Sequence, residues 1–501
     1  MNRLPSAESI AEFYGPIYSF QEPGMQYLKN RWNSAGGYRE VLIIAVPLIL
    51  STATWSVQHF VDRMFLTWYS PETIAAAMPA GMLSFTVISI FMGTAGYVST
   101  FVAQYYGARR YHRIGPALWQ GVYMSLIGGL VMLGIIPFAG PAFELIGHSP
   151  SIQQHEVIYF QIMCLGGGAY IGSYALSGFF SGRGKTWPVM WVNAATTVVN
   201  LVLDYALIFG YWGFPELGIR GAAIATVIAG VFSLLVFFVL LLSGGNDRIY
   251  HTRKGWRLEK GLFVRLLRFG FPSGMQFFLE IAGFTGFVLV VGRLGTASLA
   301  ATNIAFNINT LAFMPMIGCG IAISVLVGQY LGAQKPDTAQ SAVYSGFHLT
   351  FIYMASIAAA YVLVPDLFVA PFAHQADPRG FAEIYGYAVV LLRFVAIYCI
   401  FDTMNIIFCS AIKGAGDTRY VMIMTTILSL FVLILPVYLA LEILEFGLMV
   451  AWVFATVYII LLGVTFYIRF LGGKWKSMRV IELEAQVPKI RPTKLGRVAK
   501  L

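Results

Sequence analysis

The chain has 501 residues, of which 58% are hydrophobic and 11% are charged, and its formal net charge is +10. Soluble domains average about 45–50% apolar and about 25% charged residues, so this composition excludes an ordinary soluble enzyme. Apolar stretches longer than the roughly 20 residues that cross a bilayer recur along the chain, separated by short polar loops. The sequence therefore predicts an all-α polytopic membrane protein.

Twelve transmembrane helices are predicted in chain order from the apolar runs and from the glycine, proline and charged residues between them. The first six lie near 41–66, 74–105, 116–139, 158–180, 188–212 and 219–243, and the second six near 263–292, 298–331, 341–364, 384–411, 419–441 and 446–471. The stretch 244–262 is rich in Gly, Arg and Lys, which is typical of a linker. We therefore expect an N-lobe, 41–243, and a C-lobe, 263–471, with six helices each.

The two halves are related by an internal repeat. A shift of 225 residues pairs identical residues without a gap: Pro47 with Pro272, Gly93 with Gly318, Ser99 with Ser324, Gln104 with Gln329, Gly107 with Gly332 and Ala108 with Ala333. A further match, 181–186 with 413–418, needs a shift of 232 because an intervening loop differs in length. Six helices separate equivalent positions, and an even number makes the repeat parallel, with two pseudo-symmetric lobes.

Basic residues concentrate in alternate loops and in the tail after Gly473, whereas the opposite loops carry mainly acidic residues. The basic loop residues are Arg109, Arg110, Arg113, Arg183, Lys185, Arg248, Arg253, Lys254, Arg257, Lys260, Lys335, Lys413 and Arg419. The positive-inside rule then predicts that both termini are cytoplasmic, with an N-terminal arm, 1–40, and a basic tail, 472–501. The net charge follows from this topology, so no nucleic-acid partner is expected.

Four acidic residues fall inside predicted spans: Asp62, Asp204, Glu280 and Asp402. A charge at bilayer depth is costly and marks a cavity, a charged partner or an ion path. The repeat does not pair these residues with one another, since the equivalent positions hold Phe287, Pro436, Trp55 and Tyr170. They are therefore additions to a shared scaffold, which favours functional roles. The alternative is a structural carboxylate, hydrogen-bonded in the bundle or paired with a cation such as Arg63 or Arg393.

Polar neighbours accompany two of these carboxylates at helical spacing. Asn200 lies four residues before Asp204, and Gln276 lies four residues before Glu280, so each pair shares one helix face. Two oxygens on one face can serve one cation. Thr226 on the sixth helix is a candidate hydroxyl ligand beside Asp204, or it bonds to its own helix backbone.

The chain resembles the multidrug and toxic compound extrusion (MATE) family. The resemblance covers about 40–470 and rests on several motifs together: Pro47 with Val61 and Asp62, Gln104-x-x-Gly107-Ala108 with its repeat at 329–333, Gly182-x-Gly184-x-Thr186 with 414–419, and Asn200-x-x-x-Asp204-Tyr205 continuing through 209–226. The chain departs from the family pattern at Arg63, at Thr67 and in its long N-terminal arm.

This resemblance implies a central cleft between the two lobes, alternating access, and export of small organic cations in exchange for Na⁺ or H⁺. It implies that Asp62, Asn200, Asp204 and Thr226 form an N-lobe cation or proton site. It also implies that Glu280 and Asp402, with Gln276 beside them, form the C-lobe cation or substrate site of the NorM-like branch. Na⁺ is a candidate ligand at either site. We further expect a monomer in the inner membrane, with no cofactor besides the coupling ion.

Four other functions fit the sequence less well. A flippase for lipid-linked precursors would need a cationic groove for phosphates, whereas the intramembrane charges predicted here are mostly acidic. A membrane enzyme would need catalytic clusters in an aqueous loop, and the loops are short and poor in His. The run 184–186 lacks the earlier glycine of a phosphate-binding loop, so ATP binding there is not expected. A channel is less well matched to paired lobes than a transporter that rocks between two states.

Overall fold

The computed structural model describes residues 30–373 and 378–482. The described residues form twelve long helices: α1 Tyr38–Tyr69, α2 Pro71–Gly107, α3 Ile114–Ile135, α4 Pro150–Gly182, α5 Trp187–Phe209, α6 Ile219–Leu241, α7 Lys260–Gly292, α8 Thr296–Gly332, α9 Pro336–Leu363, α10 Pro378–Ala415, α11 Thr418–Ile443 and α12 Leu448–Leu471. This part of the chain holds no strand. The predicted all-α fold is confirmed.

Eleven of these helices are long and apolar enough to cross a membrane, among the described residues. The exception is α4, whose 33 residues begin at Pro150, earlier than predicted. At 1.5 Å per residue its length of about 50 Å exceeds the roughly 30 Å of a bilayer core. Polar residues such as His155 and Glu156 in its first turns lower its hydropathy, and the helix packs against α2, α3 and α6.

Small residues set the packing inside the lobes. A methyl group added at Gly129 of α3 would lie 2.9 Å from the Cα of Gly168 in α4, and one at Gly221 of α6 would lie 2.5 Å from the carbonyl oxygen of Leu207 in α5. Lipid offers helices little hydrophobic drive to associate, so close backbone contact through small residues supplies the packing energy. The four cysteines, Cys164, Cys319, Cys399 and Cys409, are buried and free, as expected for packing residues.

Equivalent residues of the repeat make equivalent contacts where the lobes meet. A methyl group at Gly107 would lie 1.9 Å from the carbonyl oxygen of Gln329, and one at Gly332 would lie 2.1 Å from the carbonyl oxygen of Gln104. The amide of Gln104 donates to Gly414 O at 3.1 Å, and that of Gln329 donates to Gly182 O at 2.9 Å. The two arrangements are related by the repeat, so the predicted pseudo-symmetry is seen in the contacts.

The lobes are joined tightly at one end only. We call the end with Gly107 and Gly332 the closed end. In the described part of the chain, hydrogen bonds between the lobes lie in the half of the molecule nearest this end. The ring contact between Phe85 and Phe277, with centroids 6.1 Å apart, lies near the boundary of this half that is farther from the closed end. The opposite half forms no such bonds among the described residues, and we call that end the open end.

The chain after α12 crosses the closed end. The backbone N–H of Val480 donates to Oε1 of Gln104 at 2.8 Å. The carboxylate of Glu482 is bonded by side chains of both lobes: Tyr105, Arg113 and Arg265. Residues 474–482 therefore act as a strap between the lobes. The predicted arm and tail otherwise lie outside the described residues.

Candidate functional site

The N-lobe site is built on α1 and α5. Helix α5 begins with Pro188 in its first turn and ends at Gly210, whose φ of 73° is typical of a helix C-cap. Asn200 and Asp204 lie one turn apart on its inner face, and both are fully buried. Asp62 of α1 lies close enough to Asp204 for the two carboxylates to interact. The structure thus joins the two carboxylates that sequence spacing alone could not connect.

Several oxygens at this site have no hydrogen-bond partner among the described residues. They are both carboxylate oxygens of Asp204, Oδ1 of Asp62 and Oδ1 of Asn200. Each buried polar atom left unbonded costs about 1–3 kcal/mol, and charged groups cost more. A cation or a proton would satisfy these oxygens.

The other groups around the N-lobe site are neutral, apart from Arg63. The hydroxyl of Thr226 donates to Ala222 O at 2.9 Å and accepts from Nδ2 of Asn200 at 3.5 Å, so it bonds to its own helix backbone, and its role as a cation ligand stays a prediction. Tyr159 and Tyr170 of α4 lie near the two carboxylates. Arg63 is exposed, and none of the ion pairs of the described residues involves Asp62 or Asp204.

The C-lobe site lies between α7 and α10. Asp402 is buried and accepts a hydrogen bond from Nδ2 of Asn405 at 3.0 Å. Glu280 is half-buried close to Asp402, and Gln276 is buried one turn before it. The phenol of Tyr458 from α12 lies near both carboxylates. The two predicted C-lobe carboxylates therefore lie within electrostatic range of each other, while the N-lobe residues form a separate cluster.

The side chains of two basic residues have surroundings that the sequence did not predict. Lys413, predicted in a basic loop, lies in the last turn of α10, and its Nζ donates to Oε1 of Gln276 at 2.7 Å. Arg183, also predicted in a loop, is buried, with its guanidinium 3.6 Å from the ring centre of Phe179. The spacing held a signal for Lys413, because 11 residues after Asp402 is three helical turns and so the same face.

The donor set limits what the sites can bind. The described residues contain no group of three or more His, Cys, Asp and Glu side chains that could hold a metal ion. Each site offers two carboxylates with amide or hydroxyl oxygens nearby. Hard monovalent cations and protons suit such oxygens, whereas soft metals prefer sulfur and imidazole.

Paired lobes, bonds between the lobes confined to one end among the described residues, and buried acidic residues in both lobes are typical of a polytopic membrane protein of the transporter class. The MatE family model matches residues 47–206 and 272–439, so it matches each half of the repeat once. The chain belongs to this family. The predicted resemblance is therefore confirmed.

Relatives are found both by sequence and by structure. The multidrug resistance protein NorM of Burkholderia vietnamiensis is 29% identical over 384 residues, covering 76% of this chain and 82% of that protein. The probable multidrug resistance protein NorM of Pseudomonas putida is 30% identical over 389 residues, covering 76% and 82%. A multidrug resistance MATE family transporter solved in an outward-facing conformation has a TM-score of 0.80 at 17% identity, covering 90% of this chain and 99% of that one.

Proposed function

We propose that this protein is a secondary multidrug exporter that moves small organic cations out of the cell in exchange for Na⁺ or H⁺. The relatives named as multidrug resistance proteins support this function. The observation that carries it is the set of unbonded buried oxygens at Asp62, Asn200 and Asp204. Such a site is stable when a cation or proton occupies it and unfavourable when it is empty and charged.

The proposed cycle couples this site to the lobe interface. An ion entering from the open end binds Asp62 and Asp204, while the exported cation binds the Glu280 and Asp402 pair. Occupancy shifts the balance between a state closed at this end and one closed at the other, because each ligand binds one state more tightly. Where each cycle moves one net charge inward, as when two ions exchange for one monovalent cation, that charge crossing about 150 mV releases roughly 3.5 kcal/mol, enough for about a 300-fold substrate gradient.

We assign the closed end to the cytoplasmic side and the protein to the inner membrane. The basic residues Arg109, Arg110 and Lys335 lie at that end, as the positive-inside rule requires of cytoplasmic loops. On this assignment the structure is open to the outside. The lobes 41–243 and 263–471, the linker 244–262, cytoplasmic termini and a monomeric state complete the proposal.

The flippase alternative is less well supported. A groove for lipid-linked phosphates needs an excess of cations, whereas the two sites hold four carboxylates against two cations, Lys413 and the exposed Arg63. The named relatives are multidrug resistance proteins. An enzymatic function likewise draws no support from relatives that are transporters.

Export of a fluorescent organic cation from proteoliposomes tests the function, with Na⁺ and pH gradients imposed separately. We expect one gradient to drive export by the wild type, and Asp204→Asn to abolish it because a neutral amide neither balances the charge of a bound ion nor takes up a proton. Asp402→Asn should impair export of the cation. Glu144→Gln, at an exposed carboxylate, is the matched control and should export normally.

The outcomes separate the possible errors. Export lost in Asp204→Asn but retained in Glu144→Gln supports the site, and the effective gradient identifies the ion. Wild-type protein that is folded and inserted but exports no cation under either gradient would refute the proposed function. Normal export by Asp204→Asn would refute the N-lobe site while leaving the transporter class intact.

A further inference from the structure

Lys413 places a positive charge near Glu280, one of the two C-lobe carboxylates. Its Nζ lies 2.7 Å from Oε1 of Gln276, and Gln276 is one helical turn from Glu280. Lys413 and Glu280 are close enough to interact electrostatically without forming an ion pair within 4 Å. The ammonium group is thus held by a neutral amide at the edge of the site.

The same turn of α10 also takes part in closing the lobes. The backbone carbonyl of Lys413 accepts a hydrogen bond from the phenol of Tyr97 in α2 at 2.6 Å. The next carbonyl, of Gly414, accepts one from Gln104 at 3.1 Å. The side chain of Lys413 therefore extends into the C-lobe site from a backbone segment that the N-lobe fixes in position.

We propose that Lys413 determines the charge specificity of the C-lobe site, acting as a tethered cation that partly neutralises Glu280 and Asp402. This inference rests on the proposed function, since it concerns the site that binds the exported cation. With Lys413 the cluster has two acidic groups and one basic group, a net charge of −1 when all are ionised. A monovalent organic cation balances that charge, whereas a divalent cation overcompensates it.

Removing the lysine charge changes this balance in a predictable direction. Without Lys413 the same cluster has a charge of −2, which favours a divalent ligand. Both ligands lose a repulsive neighbour, but the Coulomb energy of the divalent ligand changes twice as much. The ratio of divalent to monovalent affinity should therefore rise, by about tenfold for charges several ångströms apart in a partly hydrated site.

Ethidium and propidium are suitable probes because they share one aromatic ring system but carry one and two positive charges. Their dissociation constants would be measured by fluorescence anisotropy on the full chain in detergent, without any gradient. We expect Lys413→Met to raise the ratio of propidium to ethidium affinity about tenfold. Lys413→Arg keeps the charge and should keep the wild-type ratio, as should Lys335→Met, which removes an exposed charge at the same end.

A second variant guards against an indirect effect of the substitution. In Lys413→Met combined with Glu280→Gln the cluster returns to −1, so the ratio should return towards the wild-type value. An unchanged ratio in folded Lys413→Met, or an equal rise in Lys335→Met, would overturn the inference. So would wild-type protein that binds neither dye.

The inference and the proposed function fail in different ways. A changed binding ratio without ion-driven export would contradict the transport function but leave Lys413 as a determinant of charge specificity. Ion-driven export with an unchanged ratio in Lys413→Met would refute only the role of Lys413.

Discussion

Gly332 offers a direct test of how the closed end is held. Replacing it with alanine would place a methyl group 2.1 Å from the carbonyl oxygen of Gln104 and 3.0 Å from the backbone nitrogen of Ala108. Both atoms belong to the backbone of α2 and its C-terminal turn, so no side-chain rotation removes the clash. The two lobes must move apart there, and they do so in any state that is open at this end.

The expected penalty follows from the cost of overpacking. Extra methyl groups in a packed interior cost about 1–3 kcal/mol, and a difference of that size between two states changes their populations by about 5–150-fold. The higher helix propensity of alanine, about 0.5–1 kcal/mol, acts equally on every state in which the helix is intact. Gly332→Ala should therefore favour the state that is open at this end, and Gly107→Ala should do the same.

Pulsed electron paramagnetic resonance measures the result as a distance. Spin labels at His112 and Asp337 suit this purpose, because the two positions are exposed and equivalent in the repeat. The four native cysteines are buried, which limits unwanted labelling. The label distance in Gly332→Ala should lengthen or gain a longer component.

Gly134 is the matched control, because it lies in α3 with nothing within 4 Å of an added methyl group. Gly134→Ala should leave the label distance unchanged. An unchanged distance in folded Gly332→Ala would show that this contact does not hold the lobes together. An equal change in Gly134→Ala would show that the effect is not specific to the interface.

Two further predictions concern charges outside the proposed sites. Partial burial raises the pKa of Glu482, but the hydrogen bonds it accepts from Tyr105 and its arginine neighbours outweigh this and hold the pKa below its ordinary value of 4.5. A lowered pKa means that docking of 474–482 is strongest above about pH 4.5 and is lost as pH falls through the pKa of Glu482 in the folded protein. Hydrogen exchange in this segment should show that loss, and Glu482→Gln should remove the pH dependence. A Glu482→Gln protein with the wild-type pH profile would contradict this prediction. Asp417 pairs with Arg469 at 2.8 Å and is only 8% exposed, so Asp417→Asn should cost about 1–3 kcal/mol of stability. Asp337→Asn, in an exposed pair, should cost under about 1 kcal/mol. Equal shifts of the thermal unfolding temperature in the two variants would refute the argument.

The helices and the repeat could be predicted because both follow directly from the order of residue types along the chain. Apolar length gives the spans, and identical residues at a fixed shift reveal the paired lobes. The site residues were found for a similar reason, since carboxylates at bilayer depth are rare and costly. Their grouping was harder, because the contact between Asp62 and Asp204 joins helices far apart in the chain. Neither residue carries a local signal for the other.

Lys413 shows why charge assignment from sequence fails near helix ends. A basic residue beside a glycine-containing turn fits a cytoplasmic loop, and the positive-inside rule adds weight to that reading. The structure extends α10 by one more turn, which moves the ammonium group from the loop to Gln276. A helix boundary wrong by a few residues therefore changes the charge predicted for a buried site, although the fold prediction is unaffected.

The molecule combines a symmetric scaffold with asymmetric chemistry. Gln104 and Gln329 donate hydrogen bonds to equivalent carbonyls, so the two lobes make equivalent contacts at their interface. The position equivalent to Asp204 is Pro436, which lies between two π-helical turns of α11, where α5 is a regular helix. Different ligands in the two lobes can then shift the balance between a state closed at one end and a state closed at the other, because each ligand binds one state more tightly. In the proposed exchanger the unlike sites separate ion from substrate, while the gradients of the two set the direction of net transport.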